Sequence, residues 1–304
     1  MGKSDKRKLE SSDTSQKKVK KQNKKNVEQS QSQSVSVITP SLLTKESRKQ
    51  LRSEHDNSNP YTHVVLDGIC SDVHLHAVHD EVTDNLDANL KETDLYRVYQ
   101  TAEVGRIQSD NSTNRLKLKH LLELRDSLYS NEFRSFVQDI TGCPILNDTI
   151  DCSCNAYAHN CHLLCHDDVI TTRAVAYIIY LTADWDECDG GALELYPCDP
   201  VTKLPLPTPT KNIIPKFNTM GMFVVQQNKS YHSVQEVFTS TKPRISLSGW
   251  YHTSNMEDKN IALTNVNSKI YTTITPFISS TTVVTKKSKK KKDKKKKKNK
   301  NNED

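Results

Sequence analysis

Two histidines and one aspartate have the residue types and the spacing of a metal site. His166 and Asp168 form a His-x-Asp pair, and His232 follows 64 positions later in a second β-like run. Residues i and i+2 of a strand project from the same face, so we expect His166 and Asp168 to reach one point inside a barrel. Two imidazoles and one carboxylate that leave the opposite metal positions open are typical of non-haem Fe(II) sites. We call these three residues the triad.

An arginine on the next β-like run indicates an anionic ligand. Arg244 follows His232 by twelve residues and shares a strand face with Ser246. A buried guanidinium without a partner would cost several kcal/mol, so an inward-facing arginine requires an anion. A dicarboxylate with a 2-oxo acid end satisfies this requirement, because one carboxylate pairs with the guanidinium while the other end binds the metal. On the run 173–182, Tyr180 offers a phenol as a second donor.

The order of these residues resembles a known family. His-x-Asp, Tyr, Gly-Gly-x-Leu, His and then Arg twelve residues later resemble the prolyl-hydroxylase branch of the 2-oxoglutarate- and Fe(II)-dependent dioxygenases. Within that branch, residues 60–253 look like the ribosomal prolyl 3-hydroxylase family. The segments that carry this resemblance are Leu163–Asp168, Trp185-Asp186, Gly191–Tyr196, Arg244–His252 and the earlier Asp94–Gln100.

The resemblance implies a fold and a set of site residues. The family is built on a double-stranded β-helix of the jelly-roll or cupin-like kind. By resemblance, the iron ligands are His166, Asp168 and His232. Tyr180 and Arg244 bind 2-oxoglutarate, and Tyr157, nine residues before His166, also lines the cosubstrate site.

The resemblance also implies a reaction. Fe(2+), 2-oxoglutarate and O2, with L-ascorbate as reductant, hydroxylate a prolyl residue of a small-subunit ribosomal protein, with 3-hydroxylation favoured. An effect on translation fidelity or termination would follow. Two alternatives stay open: a prolyl 4-hydroxylase or lysyl hydroxylase with another protein target, and a non-catalytic protein associated with the ribosome or RNA.

The charge of the chain is segregated. The 304 residues have a formal net charge of +6, but residues 1–30 hold ten Lys or Arg against four acids, and residues 286–304 hold twelve Lys against three acids. The residues between these basic arms therefore carry a net charge of −9. An acidic body suits a basic substrate such as a ribosomal protein.

Composition divides the chain into three parts. Residues 1–37 form a basic arm that is too poor in apolar residues to fold, so we expect disorder. Residues 38–253 are the expected dioxygenase domain, of α+β class, with a helical part at 38–147 and a β-helix core at 148–253. Residues 254–304 form a low-complexity, Lys-rich tail. The family usually carries a second, degenerate β-helix domain, and the sequence instead continues into this tail.

Hydrophobic periodicity predicts the elements of the body. A strand is expected at 62–67, and apolar residues spaced from Val73 to Leu90 predict one amphipathic helix. Two further helices follow, the second ending at Gly142. From about 148 to 253, short runs rich in Val, Ile, Tyr and Thr predict antiparallel strands, broken by turn residues such as Asp-Gly-Gly at 189–191.

Several classes of protein are disfavoured. The eight glycines do not supply a GxGxxG, GxxxxGK or GxSxG motif, which disfavours dinucleotide, P-loop and α/β-hydrolase folds. The longest apolar stretch, residues 174–181, is far shorter than the roughly 20 residues that span a bilayer, so we expect no membrane partner. A cluster of thiols and imidazoles around Cys152, Cys154 and Cys161 does not fit the usual zinc knuckle spacing, and buried reduced thiols are favoured there.

The basic arms suggest a cellular location. Lys6-Arg7-Lys8 and residues 17–21 have the layout of a two-part nuclear localisation signal, which predicts an importin-type receptor and a nuclear as well as cytoplasmic location. The C-terminal lysines lack interleaved aromatic residues. Any nucleic-acid contact through the tails would therefore be to phosphates, non-specific and salt-dependent.

Overall fold

A sheet of twelve antiparallel strands runs through the part of the chain that the computed structural model describes, residues 36–108 and 111–254. These residues lie within one compact unit, residues 1–261. The second unit, residues 262–304, lies outside the described residues, as do the two basic arms and their predicted localisation signal.

The elements follow one another in a mixed order. The α-helices of the described residues are α1 Lys45–Asp56, α2 Asp72–Asn85, α3 Ser112–Lys117, α4 Lys119–Leu128 and α5 Asn131–Thr141. The strands are β1 His63–Asp67, β2 Ala88–Glu92, β3 Tyr96–Thr101, β4 Leu146–Ile150, β5 Ser153–Tyr157, β6 His162–His166, β7 Arg173–Tyr180, β8 Leu193–Leu195, β9 Lys211–Ile213, β10 Thr219–Val224, β11 His232–Val234 and β12 Arg244–Thr253. Short 3-10 turns lie at Pro40–Leu43, Val104–Arg106 and Glu187–Asp189.

The strand order brings distant parts of the sequence side by side. The order across the sheet is β1-β10-β7-β12-β5-β3-β6-β11-β8-β9, with β2 added to β3 and β4 added to β12. This curled arrangement makes β7, β12 and β5 neighbours, and it places β11 between β6 and β8. All the residues that sequence reasoning assigns to the site lie on or next to these two strand groups.

The helices cover the sheet, and local capping sets their limits. Ser71 and Ser130 accept hydrogen bonds from the first turns of α2 and α5, as N-cap serines do. Gly142 ends α5 in the left-handed conformation at φ 63°, which glycine adopts more readily than other residues. Phe133 of α5 joins the same buried core as Tyr177 of β7. The helices therefore support the sheet at the strand that carries Tyr180.

Two expectations about the elements are corrected by the structure. The predicted helix from Val73 to Leu90 ends at Asn85, because Leu86 is extended at φ −112° and ψ 129°. Leu90 lies in β2 and is 43% exposed, so its apolar spacing was not a helix signal. In addition, β1 lies where a strand was expected, but β2 and β3 also join the main sheet, so the part at 38–147 holds more strands than predicted.

All eight cysteines are free, and Cys152, Cys154 and Cys161 are buried, as the sequence predicted. Among the helices that the structure describes, none is both long and apolar enough to cross a membrane.

Candidate active site

Strand pairing brings the two histidines of the triad together. β6 and β11 are antiparallel, and His166 is directly opposite His232, with ring centroids 4.2 Å apart. His166 Nδ1 donates to the carbonyl of Leu164 at 2.8 Å, and His232 Nδ1 donates to the carbonyl of Ser230 at 2.9 Å. In metal-binding histidines, the N–H of the ring nitrogen that does not bind the metal usually donates a hydrogen bond in this way. Nε2 of each ring is thereby left as the ligand atom.

Asp168 completes the triad from outside the strand. β6 ends at His166, and Asp168 has a left-handed backbone with φ 62°. Its Oδ1 lies 3.3 Å from His166 Nε2, and its Oδ2 lies 3.4 Å from His232 Nε2. The expectation that strand alternation aligns His166 with Asp168 is therefore wrong in its reason, because a turn performs the alignment. The convergence itself is as expected.

Hydrogen bonds join the segment after β6 to the segment before β11. Ser230, which is fully buried, donates to the backbone carbonyl of Asp167 at 3.1 Å. Asp167 accepts the backbone N–H of Asn228 at 3.4 Å. These bonds fix the segment that leads into His232 against the segment that carries Asp168.

Two side chains that sequence reasoning missed orient the Asp168 carboxylate. Trp250 Nε1 donates to Asp168 Oδ2 at 2.9 Å, and Arg173 Nη1 lies 3.5 Å from Asp168 Oδ1. The Arg173 guanidinium also stacks over the Trp250 ring at 3.3 Å from its centroid. The sequence did contain a signal for Trp250, because it lies an even number of residues after Arg244 and therefore on the same face of β12.

The charges of the triad are coupled. Burial alone raises the pKa of Asp168, but the charge of His232 and the hydrogen bonds from both imidazoles lower it well below its usual range. Burial alone lowers the pKa of His166, but its hydrogen bond to Asp168 and the charge of that carboxylate raise it overall. Asp168 is therefore ionised and available as an anionic ligand.

The three residues expected to bind 2-oxoglutarate are also brought together. β12 pairs with β5 on one side, which places Arg244 opposite Tyr157, and with β7 on the other, which places Ser246 opposite Tyr180. The Arg244 guanidinium carbon lies 5.0 Å from the Tyr157 ring centroid and 5.1 Å from the Tyr180 ring centroid. Both rings are aromatic neighbours of one buried cation.

Part of the hydrogen-bonding capacity of this group is unused among the described residues. Arg244 is only 1% exposed, yet its Nε and Nη2 have no hydrogen-bond partner, and neither has Tyr180 Oη. Burial raises the pKa of Tyr157 to about 12, despite the opposing charge of Arg244. Burial also raises the pKa of Tyr180, again opposed by Arg244. Two neutral phenols and an unsatisfied guanidinium fit a carboxylate ligand, because donors without acceptors are rare inside proteins.

A third phenol borders the site and was not predicted. Tyr61, just before β1, is buried, and its Oη has no hydrogen-bond partner in the described structure. Its ring packs edge-on against Phe223 at 5.8 Å, and Phe223 lies 4.7 Å from the His232 ring. Burial, reinforced by the Asp168 charge, raises the pKa of Tyr61. Tyr61 and Phe223 therefore form an aromatic wall beside the triad.

The triad and its surroundings fit a divalent iron ion. One ligand atom from each triad residue lies within 4.8 Å of the others. Residues 152–252, which contain the triad, match the family described as the 2OG-Fe(II) oxygenase superfamily. This part of the chain is therefore similar to that superfamily. The oxygenase region so defined also includes Tyr157, Tyr180 and Arg244.

The similarity to known proteins extends beyond the oxygenase region. Over 200 residues the chain is 44% identical to "Prolyl 3,4-dihydroxylase OGFOD1" of Ostreococcus tauri, a match that covers 65% of this chain and 39% of that protein. Over 174 residues it is 37% identical to "Prolyl 3-hydroxylase OGFOD1" of Xenopus laevis, covering 57% of this chain and 31% of that protein. The chain thus spans well under half the length of these relatives. The resemblance to prolyl 3-hydroxylases is confirmed for the catalytic region.

The fold also has relatives among solved structures. A "prolyl hydroxylase in complex with hypoxia inducible factor oxygen degradation domain peptide fragment from Trichoplax adhaerens" superimposes with a TM-score of 0.50 and 14% identity, covering 71% of this chain and 94% of that one. At this identity the likeness concerns the fold alone. The expected double-stranded β-helix is confirmed.

Proposed function

We propose that the protein is a 2-oxoglutarate- and Fe(II)-dependent dioxygenase that hydroxylates a prolyl residue in a protein. The observation that carries the proposal is the buried Arg244, whose Nε and Nη2 have no partner, on the strand whose Trp250 bonds the triad. Similarity to the 2OG-Fe(II) oxygenase superfamily supports the cofactor set, and the names of the relatives support proline as the target.

Different residues would bind the metal and the cosubstrate. His166, Asp168 and His232 would hold Fe(II), which with 2-oxoglutarate and O2 supplies oxidative decarboxylation and hydroxylation of an unactivated C–H bond. Arg244 would pair with the distal carboxylate of 2-oxoglutarate, and Tyr180 would donate a hydrogen bond from its phenol.

Neighbouring side chains would keep this site ordered and dry. Trp250 and Arg173 fix the rotamer of Asp168 through the contacts described above. The wall of Tyr61 and Phe223, with Phe223 4.7 Å from the His232 ring, would limit the access of water beside His232. No side-chain acid or base is required.

We further propose that the substrate is a small-subunit ribosomal protein, hydroxylated at the 3-position, with L-ascorbate keeping the iron reduced. The relatives named above are prolyl 3-hydroxylases or 3,4-dihydroxylases, which favours the 3-position. The net charge of −9 between the basic arms favours a basic substrate. Modification of such a protein would act on translation fidelity or termination.

The activity is tested with purified full-length chain, Fe(II), 2-oxoglutarate, ascorbate and prolyl peptides from small-subunit ribosomal proteins. We expect succinate formation and a gain of one oxygen atom on a peptide, located by fragmentation mass spectrometry and compared with 3- and 4-hydroxyproline standards. His166→Ala should abolish both signals. His162→Ala, on the same strand, is the matched control and should leave them intact. Turnover that survives His166→Ala would refute the iron assignment.

We also propose that the N-terminal arm directs nuclear import through an importin-type receptor and that the lysine tail contacts nucleic-acid phosphates. The support is the spacing of Lys6–Lys8 and residues 17–21 and the twelve lysines after residue 285. A fluorescent fusion that lacks residues 1–30 should lose nuclear accumulation. Binding of the tail to RNA should fall steeply as salt rises.

A further inference from the structure

Two helices bring a second set of metal-binding side chains together. α2 contributes His74, and α4 contributes His120 and Glu123. One ligand atom from each lies within 4.8 Å of the others. Within residues 36–108 and 111–254, the triad is the other group of three that meets this condition. The His74 side chain is only 12% exposed.

Hydrogen bonds orient both imidazoles of this set. His74 Nε2 donates to the backbone carbonyl of His120 at 3.0 Å. His120 Nδ1 donates to Glu81 Oε1 at 2.7 Å. Glu81 is itself held in place, because its carboxylate also accepts the backbone N–H groups of His120 and Leu121. Metal-bound histidines almost always donate their second ring N–H to a carbonyl or carboxylate. His74 Nδ1 and His120 Nε2 are therefore the nitrogens left to act as ligands.

Direct hydrogen bonding does not account for the approach of Glu123. His74 Nδ1 lies 4.0 Å from Glu123 Oε2, which is too long for a hydrogen bond. The two imidazole rings meet edge to face at 5.1 Å, so they are not stacked either. Zinc binds nitrogen and oxygen ligands at about 2.0–2.2 Å in a tetrahedron, so two ligand atoms on one ion lie roughly 3.3–3.6 Å apart. The 4.0 Å between His74 Nδ1 and Glu123 Oε2 is slightly wider, and a small rotation of the half-exposed Glu123 side chain would bring its carboxylate to an ion bound by His74.

The set is accessible from one side. The side chains of His74 and Glu81 are mostly buried, whereas those of His120 and Glu123 are 35% and 41% exposed. An ion can therefore enter from solvent and retain water opposite the protein ligands.

We propose that His74 Nδ1, His120 Nε2 and the Glu123 carboxylate bind a Zn2+-type divalent cation, with Glu81 orienting His120. Two imidazoles and one carboxylate suit zinc, and water completes the coordination. The ion joins α2 to α4, which are separated in sequence by β2, β3 and α3. The site is independent of the triad and of the proposed hydroxylation.

The test uses the full chain with His166→Ala and His232→Ala, which removes competition from the triad. This parent is stripped with a chelator and titrated with Zn2+ against a chromophoric chelator. We expect one tightly bound equivalent. His74→Asn and Glu123→Gln should each weaken binding by more than the roughly 10- to 100-fold loss caused by removing an outer hydrogen-bond partner. His79→Asn, on the same helix but bonded to Asp80, is the matched control and should bind as the parent does.

A second measurement separates metal loss from misfolding. Zn2+ should raise the thermal unfolding midpoint of the parent and of the His79→Asn variant. It should leave that of Glu123→Gln unchanged, and this variant should keep the circular dichroism of the parent, because the substitution is isosteric and half-exposed. Tight binding retained in both ligand variants, or no tight equivalent in the parent, would overturn the proposal.

Discussion

At the scale of single residues, the two buried charges of the site differ in what satisfies them. Asp168 receives a hydrogen bond from Trp250 and faces both triad imidazoles. Arg244 keeps two N–H groups without a partner in the described structure. Buried donors without a hydrogen-bond partner destabilise the folded protein. An anion that accepts hydrogen bonds from them gains binding free energy. We therefore expect the cosubstrate site to depend on the shape of the guanidinium and not only on its charge.

Replacing Arg244 with lysine tests this expectation. Arg244→Lys keeps the charge but removes the paired N–H groups, so the KM for 2-oxoglutarate should rise roughly 10- to 100-fold, as the loss of a charged hydrogen bond predicts. Steady-state succinate formation measures it. Arg52→Lys, in an exposed pair with Asp56, is the matched control and should leave KM unchanged. An unaltered KM in Arg244→Lys would contradict the assignment of the guanidinium.

Removing the indole donor should weaken metal binding. Trp250→Phe keeps an aromatic ring but loses the indole N–H and its 2.9 Å hydrogen bond to Asp168, so the affinity for Fe(II) should fall about 10- to 100-fold. The dependence of turnover on Fe(II) concentration reports this change. Trp185→Phe, whose indole donates to the Gly190 carbonyl, should leave the Fe(II) dependence as it is. Equal Fe(II) dependence in both variants would exclude the orienting role.

Part of the site was predictable from the sequence for a physical reason. The triad, Arg244 and Tyr180 have diagnostic residue types at diagnostic spacing. Trp250 and Arg173 act only through a contact with Asp168, which depends on how β6, β7 and β12 are arranged in space. Tyr61 lies far upstream and reaches the site because β1 joins the sheet beside β10. No local pattern encodes such a pairing.

At the scale of elements, β12 is the strand on which the site depends most. It pairs with β4, β5 and β7, and it carries both Arg244 and Trp250 on one face. The strands of this region were predictable from alternation, and so was the end of α5 at Gly142. The end of α2 was not, because apolar residues of the following hairpin imitate the helical period up to Leu90. The position of β12 also requires one close backbone contact.

The close contact is at Gly249. A Cβ at this position would overlap the Asp151 carbonyl oxygen, so Gly249→Ala must displace backbone. We expect a loss of about 1–3 kcal/mol in the free energy of unfolding, the usual cost of overpacking. Urea denaturation measures it. Gly221→Ala on nearby β10 is the matched control, since nothing lies within 4 Å of its Cβ, and it should change stability by less than about 1 kcal/mol. Equal effects would contradict the contact.

At the scale of the whole molecule, the interior is sealed around unreactive thiols. Cys152 and Cys154 are buried, and burial raises the pKa of each to about 12. Thiolate is the reactive form, so these cysteines should resist alkylation as long as the fold is intact. Cys188, by contrast, is exposed. Cysteine labelling therefore reports the integrity of the sheet and helices together.

Alkylation of the native protein at pH 8 tests the seal. Iodoacetamide should modify Cys188 first and leave Cys152 and Cys154 unmodified, and unfolding in denaturant should expose all eight cysteines. Peptide mass spectrometry with a time course gives the rate at each position. Native-state modification of Cys152 as fast as that of Cys188 would show that the core opens readily.

The left-handed turn at Asp168 has a consequence for how this position can change over evolutionary time. Its φ of 62° is tolerated by aspartate, asparagine and glycine, but it strains alanine. A descendant released from selection for metal binding would therefore be expected to drift first to Asn or Gly, which preserve the turn. For the same reason, Asp168→Asn removes the negatively charged ligand and keeps the backbone conformation. A lineage that carries this substitution would be expected to have lost the metal-dependent activity and kept the fold.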